Sequence, residues 1–226
     1  MSFSDVVSVM GDVAVIAGAG AAIFGINAWK RETLWRKHSD LAEKALLSVY
    51  EMETAINAVR SPFSSNIEYE GREREEGETP HEKSARDRAY VVFTRLQKHN
   101  DVYGEMRTIK QRCRVMFGDS YTKIFDDLWA IIVDINVTTE MLGSHYWNDP
   151  LDFYEQEERK QLLADRRELE AVIWYKGSRD KIKPKVKSIV DEAEGLFRDK
   201  ITPQSFGERI QNAWRVACNC FEFKVN

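Results

Sequence analysis

Residues 13–62 read VAVIAGAGAAIFGINAWKRETLWRKHSDLAEKALLSVYEMETAINAVRSP. The opening part, Val13 to Trp29, carries no charge and one amide, Asn27. Extended back to Val6, the apolar run reaches the roughly 20 residues that cross a hydrocarbon core. Asp12 is then placed near the outer interface, because a carboxylate is costly at depth. Lys30, Arg31, Arg36 and Lys37 follow the run, and no Lys or Arg precedes it. Basic residues hold their end of a span in the cytoplasm. A cleaved signal peptide needs such residues before the apolar run, and MSFSDVVSVMGD has none. Trp29 and Trp35 stand where interfacial aromatics gather. The expectation is a single-pass membrane helix, N-terminus outside and body cytoplasmic. A buried helix of a soluble domain is the rival reading, since the run is rich in Ala and Gly.

Past the anchor, Leu34, His38, Leu41, Ala45, Val49, Met52, Ile56 and Val59 recur at steps near three and four, one helical stripe. No breaker intervenes before Ser61-Pro62, where the residue ahead of proline disfavours helix. One long helix should therefore leave the membrane. Residues 61–79 are dominated by Gly, Ser and charge, a mobile acidic surface loop. Thr79-Pro80-His81-Glu82 then offers a capping box with proline in the first turn. The stripe Ala85, Ala89, Val92, Leu96, His99, Tyr103, Met106, Cys113 and Phe117 predicts a second helix, stopped by Gly118. A third, the most apolar and so central, runs from Tyr121 to Leu142 and closes at Gly143. Asp149-Pro150 opens a fourth that closes at Gly177. A fifth follows Pro184, and a short sixth follows Thr202-Pro203. The only strand-like stretch is the tail FEFKV. The fold class is all-α: a transmembrane helix (1–29) continuing into an antiparallel helical bundle (30–217), with a tail at 218–226.

Short connections favour antiparallel neighbours. Alternation along the bundle puts the turns at Gly118 and Gly177 on the membrane side and the acidic loop on the far side. Arg112, Arg114, Lys181, Lys183 and Lys185 would then join Lys30, Arg31, Arg36 and Lys37 in a basic collar facing anionic headgroups, each charge contributing about 1 kcal/mol. Ordinary solvated helix faces are the competing account. Within the anchor, Gly11, Ala14, Gly18, Ala22 and Gly25 line one face, which suits close helix approach and homo-oligomerisation in lipid.

Chemistry is sparse. With 33 basic and 37 acidic side chains the net charge is −4, without the basic excess that nucleic-acid binding requires. Cys113, Cys218 and Cys220 are an odd set that makes a poor disulfide framework. No His completes a zinc site around the C-x-C pair. None of the four histidines lies in H-E-x-x-H, and His38 and His99 sit on apolar stripes as packing residues. Glu78-x-x-His81 has the spacing of a di-iron motif, but that site needs a second copy. Gly18-x-Gly20 lacks the strand that a dinucleotide loop requires. No cofactor, metal or catalytic residue is assigned.

The stretches LAEKALLSVYEMETAINAVRSPF, GETPHEKSARDRAYVVFTRLQK and RCRVMFGDSYTKIFDDLWAIIVDI resemble a widespread bacterial family of small proteins, with an N-terminal membrane helix, an SPF loop and an FG turn. The resemblance covers about residues 34–142. It implies the order anchor, long helix, acidic loop and helix pair, and no activity. Three functions stay open: a membrane-anchored scaffold for an unknown protein partner, a stress or phage-response effector working through anchor oligomerisation, and a hydrolase with a dispersed site.

Overall fold

In this computed structural model the described residues are 3–148, 154–175, 177 and 180–202, with backbone alone for 3–17, 19 and 66. The chain is all-helical there: α1 (Phe3–Val59), α2 (Pro80–Lys98), α3 (Asn100–Phe117), α4 (Lys123–Met141), α5 (Gln156–Ile173) and α6 (Ile182–Ile201). The expected sixth helix of the body, after Thr202-Pro203, the FEFKV tail and the C-x-C pair lie outside the described residues.

α1 is one uninterrupted helix, and its stripe from Leu41 to Val59 is buried. Each such aliphatic side chain contributes about 1.5–3 kcal/mol, so the second half of α1 is the spine of the body. α3 runs antiparallel to it. The His38 and Phe117 rings meet edge-on at 5.4 Å, while Arg95, just ahead of α3, reaches the Val59 carbonyl. α4 touches all five other helices, as its apolar composition predicts. α6 returns along α1, from Asp180 beside Arg60 to Ile201 beside Ser39. These four helices make the lower bundle. α2, α5 and the end of α4 form an upper tier around the tip of α1.

Four expectations are corrected. The single helix expected over Ala85–Phe117 is two, broken at His99, where the backbone leaves helical values (φ −104°, ψ 13°). Gly143 does not stop α4: the backbone passes through it as a π-turn, Leu142–Tyr146, with the Trp147 amide donating to the Leu142 carbonyl at 2.8 Å. Its role is proximity, since a Cβ there would lie 2.9 Å from the Ala89 Cβ of α2. α6 begins before Pro184, because the Asp180 carboxylate accepts from the Ile182 and Lys183 amides at 2.9 and 3.0 Å and caps it. Lastly, residues 61–79 are tied down by buried arginines rather than left loose. The Thr79–Glu82 capping box forms as read.

Candidate functional site

α1 leaves the bundle below His38. Along this projecting part Ile23, Phe24, Ile26 and Trp29 are 62%, 69%, 53% and 68% exposed. Monomeric domains seldom display so continuous an apolar surface, and an isolated helix gains little from propensity alone. Gly18, Ala22 and Gly25 are exposed at spacings of four and three, and a Cβ built on either glycine meets nothing within 4 Å. The side chains of Gly11 and Ala14 lie outside the described residues. Among the residues whose side chains are described no helix is long and apolar enough to cross a membrane; residues 6–17 of the expected span lie outside them.

The basic residues divide into two groups. Lys30, Arg31, Arg36 and Lys37 lie along the exit of α1, and Arg112 and Arg114 lie near the end of α3 beside it. Lys181, Lys183 and Lys185 do not join them. Arg60 reaches the turn that precedes these lysines, and Lys37 to Arg60 spans about 35 Å of helix. The reason is that α5 belongs to the upper tier. It descends only to the tip of α1, so the Gly177 turn lies beside Arg60, where the Tyr175 amide donates to the Arg60 carbonyl at 2.9 Å. The expected collar therefore reduces to its α1 and α3 members. Of these, Arg36 pairs with Glu32 at 3.0 Å and Arg114 with Asp119 at 2.7 Å.

Between α1 and α3, just above the exit, opens a groove of about 490 Å³. Leu41, Val115 and Met116 supply its apolar surface, and Lys37, Lys44 and Arg112 border it. Val115 is 83% exposed. No ion pair engages Lys37, Lys44 or Arg112 among the described residues.

At the other end three arginines organise the body. Arg60 is fully buried and makes five hydrogen bonds. It donates to the Val172, Ala171 and Trp174 carbonyls at 2.8, 3.0 and 3.2 Å, and to both Asp180 oxygens at 2.8 and 3.1 Å. One side chain thus caps the end of α5 and fixes the residue that caps α6. Arg72 donates to both oxygens of Glu78 at 2.6 and 2.7 Å and to Asp87 at 2.7 Å. Hydrogen bonds from Arg72 hold the Glu78 carboxyl down at about 2. Glu78 is therefore engaged in an ion pair with Arg72. Arg95 clamps Glu68 through two hydrogen bonds and takes the Ser61 and Phe63 carbonyls at 2.6 and 2.5 Å. Held this way, the loop presents Phe63 and Ile67 to solvent, both strongly exposed. No family model, curated protein or solved structure matches this chain.

Proposed function

We propose that this chain is a single-pass, membrane-anchored helical scaffold, with the N-terminal part of α1 in the bilayer and the body on the cytoplasmic side. The observation that carries the reading is the bare apolar surface from Ile23 to Trp29 on a helix that departs from its own bundle. Such a surface is stabilised by lipid or by a covering partner. The charge order supports the orientation, with bases behind the run and none ahead. Trp29 and Trp35 are separated by about 9 Å along the helix, close to the depth of one interfacial layer. The pinned loop, with Phe63 and Ile67 outward among acidic neighbours, is the surface offered to a protein partner.

Flotation of the full chain with neutral lipid vesicles tests the anchor. The chain is expected to rise with the vesicles and to resist extraction at alkaline pH. A chain that remains in the aqueous fraction without detergent overturns it.

A second reading, an effector that signals through anchor oligomerisation, is favoured by the open Gly18, Ala22 and Gly25 face and its unbroken helical connection to the body. Replacing Gly18 and Ala22 with Leu is expected to abolish cross-linked dimers in membranes. Undiminished cross-linking counts against that reading.

A further inference from the structure

We infer that the α1–α3 groove is a binding site for an anionic phospholipid of the membrane that α1 enters; the inference rests on the anchored reading above. Three features converge on this occupant. First, the groove joins an apolar surface to three cations, Lys37, Lys44 and Arg112, against one acid, Asp40. A ligand that is apolar in one part and negative in another satisfies both, and a glycerophospholipid has that form. Second, these three cations lack carboxylate partners among the described residues, whereas Arg60, Arg72, Arg86 and Arg95 are each paired. Third, the location fits. Lys37 lies only about 3 Å beyond Trp35 along the helix axis, so with Trp35 in the interface the lower lip of the groove borders the headgroup layer. Leu34, exposed and seven residues before Leu41, lies two turns below it on the same helix face. The helix face that carries Leu34 therefore leads to the groove, whose apolar lining is Leu41, Val115 and Met116.

The occupant is a lipid, not a soluble phosphate, because the larger part of the groove surface is apolar and gives a small hydrated anion nothing to replace its water. A tilt of α1, ordinary for spans, lowers one flank toward the bilayer; both flanks carry charge, Lys37 and Lys44 on α1 and Arg112 on α3.

The test uses the full chain in vesicles of phosphatidylcholine alone and of phosphatidylcholine mixed with phosphatidylglycerol. Hydrogen exchange of the α3 segment around Arg112–Met116 is the readout, and flotation is recorded in parallel. Exchange is expected to slow only in the vesicles containing phosphatidylglycerol. Lys44→Gln with Arg112→Gln is expected to weaken that effect about twenty-five-fold, at about fivefold per surface charge, with flotation unchanged. Both residues are exposed, so the fold is retained, and an unaltered unfolding midpoint verifies this. Equal exchange in the two vesicle types, or protection that survives the double change, overturns the site while flotation leaves the anchor standing. Protection produced by glycerol phosphate or inorganic phosphate with neutral vesicles also overturns it, in favour of a free anion. Failure to float in either vesicle type removes the anchor itself.

Discussion

Asp180→Asn probes the buried pair that ties the tip of α1 to the start of α6. Asp180 and Arg60 side chains are each 1% exposed. Asparagine keeps an oxygen for the Ile182 and Lys183 amides, so the cap on α6 persists while the charge disappears. What remains is a guanidinium sealed in the body without a counter-charge, and breaking a buried pair from one side costs about 3–5 kcal/mol. Domains of this size are stable by only about 5–15 kcal/mol, so Asp180→Asn is expected to remove a large share of the total. Asp180→Ala also loses the cap, at a further cost of about 1 kcal/mol. Combining Asp180→Asn with Arg60→Met removes both charges, and the pair is expected to be less damaging than the sum of the singles. Urea unfolding followed by helical circular dichroism measures these variants and the Arg60→Met single. A stability for Asp180→Asn within about 1 kcal/mol of the parent refutes the buried pair as a keystone. The pH dependence has a definite sign. Burial raises the Asp180 carboxyl, but the Arg60 guanidinium and the Lys183 and Ile182 amides outweigh it and leave the group below its usual range. Its contribution is therefore complete above the ordinary carboxylate range and is lost as pH falls through the lowered value.

Three further outcomes are expected. Glu78, held near 2 by the hydrogen bonds of Arg72, keeps residues 61–79 docked above about pH 4.5 and releases them as pH drops toward 2; limited proteolysis with an acid-active protease should find new cuts there, and an unchanged pattern contradicts the pinning. Gly143→Ala, meeting Ala89 at 2.9 Å, should cost about 1–3 kcal/mol by overpacking and be partly relieved by Ala89→Gly; a neutral Gly143→Ala in urea titration dismisses the close approach. Cys113 is fully buried, and burial pushes its thiol up to about 12; iodoacetamide should therefore modify it only on unfolding, and labelling at the rate of a free thiol speaks against its burial.

The helices are legible where the information is local. Thr79 and Glu82 are three residues apart, and the α1 and α4 stripes repeat within a turn, so spacing alone carries them. Arg60 and Asp180 are 120 positions apart, and no window of sequence connects them. One local sign exists: Arg60 follows Ile56 by four residues and so falls on the buried face, where a charge needs a partner. Gly143 reads as a stop because glycine after an apolar run usually ends a helix, whereas here α2 lies too close for any Cβ. Alternation misplaces Lys181, Lys183 and Lys185 because it gives the direction of each helix and not its depth. α5 starts from the upper tier and ends at the tip of α1. The groove beside Lys37 has no signature in the sequence, since it exists only where α3 lies back against α1.

α1 also has a mechanical consequence. From Ile26 to Val59 it contains neither glycine nor proline, the residues at which helices most often bend, and its 57 residues extend about 85 Å. Such a rod resists torsion and works as a drive shaft. Rotation imposed at Ile26 would be carried along this stretch to Arg60, whose fork is keyed into α5 and α6 at once.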